Sequence, residues 1–134
     1  MVECSSEEKY VGKASAVLDG KRSTFWHTQY CGRRVAQYPH FLVIDLSETQ
    51  EVVGFSVVQR ETLSRAIKDV KLYKSLDGKD FALIGPYVLD NVEGTQAFEF
   101  DRAESVRFLK LVAESSWDGE PFAALSEIGL HGGT

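Results

Sequence analysis

Cysteine is scarce in this 134-residue sequence, which carries Cys4 and Cys31 alone. Two thiols cannot staple a small disulfide scaffold, and their spacing matches no metal-binding or redox motif, so the plain reading is unpaired structural cysteines. Basic charge is also short. Lys and Arg total 15 against 20 Asp and Glu, a formal net charge of -5, and the basic residues are scattered. A phosphate backbone or an anionic membrane needs a basic patch, so nucleic acid is excluded as the expected partner. Long apolar runs are missing too. Phe41 to Ile44 and Leu109 to Ala113 are strand-length, far below the roughly 20 residues that cross a bilayer, so no membrane insertion is expected. The start, Met1 to Glu8, is acidic and lacks the basic and apolar stretches of a secretory leader. It reads either as a cytosolic protein or as an excised piece.

Catalytic motifs are absent as well. There is no G-x-S-x-G, H-E-x-x-H, P-loop or G-x-G-x-x-G, the patterns that carry hydrolysis, metalloproteolysis and nucleotide binding. The adjacent Glu7 and Glu8 point in different directions and make a poor acid/base pair. His40 follows Pro39 at a strand start and reads as a structural edge residue, and His131 beside Gly132-Gly133 reads as solvated. The expectation is a non-enzyme.

What is present is a short-strand rhythm. The composition, 43% hydrophobic and 26% charged, suits one folded domain spanning 1–134. His40 to Leu46 is an apolar run closed by Ser47-Glu48-Thr49, and Val52 to Gln59 repeats the type. Val70 to Lys74 partly alternates, and Asp77-Gly78 turns it into Phe81 to Ile84. Phe98 to Phe100, Val106 to Leu111 and Leu125 to Leu130 follow. No capped stripe of helical period appears, so the fold class expected is all-β, an antiparallel sandwich or barrel. Two stretches break the rhythm, Lys13 to Gln37 and Ser115 to Phe122. Both are rich in Gly, Ser, Asp and aromatics, which favours functional loops.

The richest stretch is Asp19-Gly20-Lys21-Arg22-Ser23-Thr24-Phe25-Trp26-His27-Thr28-Gln29-Tyr30. It is followed in order by Tyr38 to Leu46, Arg60, Ile67-Lys68-Asp69, Ser75-Leu76-Asp77-Gly78 and Ser126-Glu127-Ile128. This ordered set, covering nearly the whole chain, resembles the discoidin or coagulation-factor type C domains, and within them most closely the family 32 carbohydrate-binding modules. The resemblance implies a jelly-roll sandwich of the galactose-binding type. It also implies covalent attachment to a bacterial glycoside hydrolase, hexosaminidase-like or sialidase-like, and a secreted, periplasmic or cell-surface location.

Sugar chemistry points to the same residues. A sugar has apolar C–H faces and a rim of hydroxyls, so its site needs an aromatic wall and planar hydrogen-bonding groups. His27, Tyr30 and Arg60 supply that mixture, the guanidinium fork spanning two neighbouring hydroxyls. The alternatives are a loop histidine satisfied by backbone and a surface ion pair. In the resembling family, the histidine after the tryptophan and a later strand-end arginine bind sugar, matching His27 and Arg60. The stacking aromatic of the late loop is either Trp117 or Phe122, whereas Trp26 reads as core. Members that prefer galactose carry an Asn-Gly before the Ile-Lys-Asp strand. Here that place reads Ser64-Arg65-Ala66-Ile67, and Asn91 is the chain's single asparagine. Ser64 offers one hydroxyl in place of an amide, and Arg65 is a second candidate to reach the site. The expected ligand is a glycan ending in a galactose-type hexose or N-acetylhexosamine.

Asp19, Thr24 and Glu127 are hard oxygen donors that this fold would bring together, a set suited to Ca²⁺. The resemblance adds the backbone carbonyls of Ala16, Lys21 and Ser126 to a structural calcium site. The competing functional class is a protein-interaction or structural sandwich without a working sugar site. A phospholipid binder has only Lys21-Arg22 and Arg33-Arg34 in its favour.

Overall fold

The computed structural model describes residues 2–4, 18, 26–27, 39–59, 66–92, 94–119 and 123–132. Eight strands follow in order: β1 (Val2–Cys4), β2 (Trp26–His27), β3 (His40–Val58), β4 (Asp69–Ser75), β5 (Ala82–Val88), β6 (Thr95–Ala113), β7 (Ala124–Leu125) and β8 (Glu127–Gly132). Among the described residues there is no α-helix. Among the described residues the named strands all pair antiparallel, so the expected all-β sandwich is the fold.

The long strands β3 and β6 form its spine. They pair from His40↔Ala113 to Val58↔Thr95, with breaks in register between Asp45 and Gln50 and between Val52 and Gly54. The first half of β3 is flanked by β1 and the second half by β8. The far edge of β6 carries β4 at Phe108 to Ala113, and β4 in turn carries β5. The spine's two halves thus seed two layers. Phe55 shows the layers meeting: its ring stacks on Phe98 at 4.9 Å and meets Tyr87 of β5 edge-on at 5.0 Å.

The register breaks reset which side chains face inward. Leu42 and Ile44 share a face, as do Leu109, Leu111 and Ala113, by the two-residue period of a strand. Val52 and Phe55 are both buried although an odd number of positions apart, as a bulge requires. Two strands expected from Ser47-Glu48-Thr49 acting as a stop are therefore one bent strand. Ser47 takes the left-handed φ of 72° there, held by its N–H donating to Asp45 Oδ1 at 2.8 Å. Arg107 of β6 donates to both oxygens of the same carboxylate, at 2.7 and 3.3 Å. The Arg107 bond, then the Ser47 N–H, hold Asp45 below the usual carboxylate range. Phe98 to Phe100 and Val106 to Leu111 likewise belong to one strand, β6.

The Asp77-Gly78 turn occurs as expected, joining β4 to β5. Gly78 has φ 78° and lies against the Phe108 ring. Asp77 accepts the N–H groups of Asp80 and Lys79 and the Ser75 hydroxyl, which lower its pKa to about 2. His40, expected at an edge, opens the internal strand β3 and is buried. His131 is exposed on β8.

Candidate functional site

Four backbone pairings gather the loop ends that carry the candidate residues. β2 pairs with β7 so that His27 lies opposite Ala124 and Trp26 opposite Leu125. Ala124 is also bridged to Ala66, and Ile67 to Ser116. Finally, the Trp117 N–H donates to the Ala66 carbonyl at 3.0 Å. The backbones of His27, Ala66 and Trp117 therefore converge, although they lie far apart in sequence.

Trp117 is held as a fixed plate. Its indole Nε1–H donates to the Leu89 carbonyl at 2.8 Å, while the residue as a whole is 42% exposed. An exposed aromatic with its polar atom already bonded presents an apolar surface without a desolvation cost of its own. The Lys68 ammonium lies over this ring, 5.0 Å from its centroid. Trp26 is fully buried in the core, as its position beside Phe25 suggested.

Gln59 and Ile67 are joined by a side chain that sequence reasoning passed over. Gln59 is 1% exposed. Its Nε2 donates to the Ile67 carbonyl at 2.9 Å, and its Oε1 accepts the Ile67 N–H at 3.3 Å. Nε2 also reaches the Asp90 carbonyl at 3.4 Å. One amide thus supplies both bonds of a β-ladder rung to Ile67. A glutamine ending an apolar run reads in sequence as a strand terminus, and only the fold reveals its partners.

Behind the loop, Asp69 and Ser115 lock β4 to the start of the Trp117 loop. The Ser115 hydroxyl donates to Asp69 Oδ2 at 2.6 Å, and the Lys68 N–H donates to the Ser115 carbonyl at 2.8 Å.

Tyr30, Arg60, Ser64, Arg65 and Phe122 lie outside the described residues, as does the side chain of His27. Of the calcium set, Ala16, Asp19, Lys21 and Thr24 also lie outside them. Ser126 is fully buried, and its N–H donates to the Val58 carbonyl at 2.9 Å. Glu127 opens β8 with its carboxylate Oε1 out of contact with solvent. A solvent-shielded carboxylate oxygen beside a buried serine fits a hard cation better than a lone surface acid would. The Trp26↔Leu125 pairing brings the strand that follows the 19–24 segment next to Ser126. Among the described residues alone, no three His, Cys, Asp or Glu side chains converge on one point. Cys31 and the side chain of Cys4 are likewise outside the described set.

Two grooves along β5, of about 520 and 480 Å³, involve none of the candidate sugar or metal residues. They are lined in part by Tyr87, whose phenol is pushed up by burial and by Asp101 and Glu104. The candidate site instead gathers around Ala66 and Trp117.

Comparison with known proteins gives consistent matches. The family model described as F5/8 type C domain matches residues 1–128. A sialidase of Micromonospora viridifaciens is 30% identical over 125 residues, 90% of this chain and 19% of the sialidase. A galactose oxidase of Gibberella zeae is 28% identical over 134 residues, 96% of this chain and 19% of that protein. The chain thus spans about 19% of the length of these curated relatives. A Clostridium perfringens family 32 carbohydrate-binding module, solved in complex with GalNAc-β-1,3-galactose, has a TM-score of 0.89 at 27% identity, covering 98% of this chain and 94% of that one. A second family 32 module, from C. perfringens NanJ and in complex with galactose, shares the fold with a TM-score of 0.84 at 21% identity, covering 97% and 91%.

Proposed function

The chain belongs to the F5/8 type C domain family, and from this we propose that it is a non-catalytic carbohydrate-binding module that tethers a glycan-degrading enzyme to its substrate. The single observation that carries the reading is the convergence of the backbones of His27, Ala66 and the exposed Trp117 through backbone pairing. That arrangement supplies an aromatic wall beside Ala66, the residue that follows Ser64 and Arg65 in the sequence. The sugar-bound state of the Clostridium perfringens module at 27% identity supports it. The proposed ligand is a terminal hexose or N-acetylhexosamine, bound by His27 and Arg60 with Tyr30 and either Trp117 or Phe122 as apolar walls.

The remaining parts of the proposal follow from the same family. The catalytic work falls to an attached glycoside hydrolase, in a protein that is secreted, periplasmic or on the cell surface. A calcium ion held by Asp19, Thr24 and Glu127, with the carbonyls of Ala16, Lys21 and Ser126, braces the long loop against the sandwich.

A monosaccharide offers few heavy atoms and is well hydrated, so its affinity should be weak, on the order of 10 μM to 1 mM. Weak sites become effective when tethered, because the second encounter is intramolecular. Titration with galactose, N-acetylgalactosamine and N-acetylglucosamine tests the site. Arg60→Ala and His27→Ala should each weaken binding by about 1.5–3 kcal/mol, the range for hydrogen bonds to charged groups. His131→Ala should not change it. Binding that persists in both loop variants would place the site elsewhere.

A further inference from the structure

We propose that Asp118 is a site of spontaneous covalent modification, in which ring closure with Gly119 converts it to isoaspartate, and that this change unfastens the Trp117 plate. The reaction is intramolecular, so proximity of the two groups drives it. The Gly119 amide nitrogen attacks the carboxyl carbon of the Asp118 side chain. A C–N bond forms, the carboxyl C–OH bond breaks, and the amide proton leaves with the hydroxyl as water. Water then opens the five-membered imide at either carbonyl, restoring aspartate or leaving the main chain routed through the side-chain carboxyl. The second product has one extra methylene in its backbone and no net change in atoms.

The chain holds three Asp-Gly pairs, at Asp19, Asp77 and Asp118, of which Asp19-Gly20 lies outside the described residues. At Asp77-Gly78 both reacting groups are held. The Gly78 N–H donates to Ser75 Oγ at 2.9 Å, and the Asp77 carboxylate accepts the N–H groups of Lys79 and Asp80 at 2.8 and 3.0 Å. A Cβ at Gly78 would lie 3.2 Å from the Phe108 ring, so the turn has no room to swing. Ring closure also needs the neutral acid, because a carboxylate offers no hydroxyl to leave. A group titrating at about 2 in place of 3.8 holds roughly sixtyfold less of it at any pH above both values.

Asp118-Gly119 lacks this clamp on its nucleophile. Both residues are exposed. Among the described residues the Gly119 N–H makes no hydrogen bond, and a Cβ there would meet nothing within 4 Å. Glycine tolerates the φ of 74° found here and rotation away from it. The adjacent Trp117 is fixed through its N–H to the Ala66 carbonyl at 3.0 Å and through its indole to the Leu89 carbonyl at 2.8 Å. A methylene inserted into the main chain at the next residue shifts Trp117 against both anchors.

The test is peptide mapping that separates isoaspartyl from aspartyl peptides, on protein kept folded for several weeks at about pH 5, where an ordinary Asp retains some neutral acid. Isoaspartate at position 118 should exceed that at position 77 by at least about tenfold, within what ionisation alone allows. In urea-unfolded protein the two positions should form it at similar rates. Asp118→Glu, whose ring would be six-membered, should abolish the product at 118 with an unchanged melting temperature. Hydrogen exchange at the Trp117 N–H should be faster in the isomerised fraction than in fresh protein. No isoaspartate at 118, or a difference between the positions that persists in urea, would overturn the assignment. Unchanged Trp117 exchange in the isomerised fraction would overturn its consequence. Neither readout uses a sugar, so failure here leaves the carbohydrate reading standing.

Discussion

At the scale of single residues, the fold depends on side chains whose size or absence is dictated by a neighbour's backbone. Gly54 is the clearest case. It sits at a register break of β3, opposite Glu99 on one side and His131 on the other. A Cβ there would lie 2.4 Å from the Phe98 carbonyl oxygen, inside contact distance with a backbone atom that cannot swing away. Phe98 cannot move without disturbing the Phe55 stack. Gly54→Ala should therefore destabilise the domain by about 1–3 kcal/mol, the usual cost of forcing atoms into a packed interior. Urea unfolding should show a lower midpoint at unchanged slope. A midpoint equal to wild type would mean that the strands separate here at no cost.

At the scale of elements, the alternation of apolar residues made most strands legible, because a half-buried strand must alternate. What alternation conceals is continuity. Ser47-Glu48-Thr49 looks like a strand end, yet the chain bends through Ser47 and resumes pairing at Gln50. The polar residues there serve the bend, through Asp45, Ser47 and Arg107. The aromatics of the late loop were legible as candidates, but the Lys68–Trp117 contact was not, since it depends on Leu89 bonding to both. Gln59 was hidden for the same reason. Replacing it by leucine leaves the Ile67 N–H and carbonyl buried without their partner, a loss of about 1–3 kcal/mol. The loss should be felt first as local opening around Ile67. Hydrogen exchange should speed at Ile67 and remain slow at Leu111 in the spine, and sugar affinity should drop with it. Uniform exchange changes across the sheet would instead mark Gln59 as a general stabiliser.

At the scale of the whole molecule, the small β2–β7 pair joins the long early segment to the end of the sandwich. It is held by two residue pairs, Trp26↔Leu125 and His27↔Ala124. Trp26 inserts fully into the core, and burying a side chain of this size contributes roughly 1.5–3 kcal/mol. Each fixed residue costs about 1–2 kcal/mol of backbone entropy, so a pairing of two residues on each side is a marginal anchor. A bound cation would offset part of this cost. The solvent-shielded Glu127 oxygen and the buried Ser126 lie next to the Trp26↔Leu125 pair, where such an ion would brace the loop. A ligand that binds the folded state alone, present at 100 times its dissociation constant, stabilises by about 2.7 kcal/mol. Thermal melts in excess Ca²⁺ should therefore run above those in excess chelator. Asp19→Ala and Glu127→Gln should each close that gap, whereas an exposed acid remote from the segment, Glu48, should not matter when replaced by Gln. Coincident melts for the wild type, with no metal in the purified protein, would show that no such ion is bound.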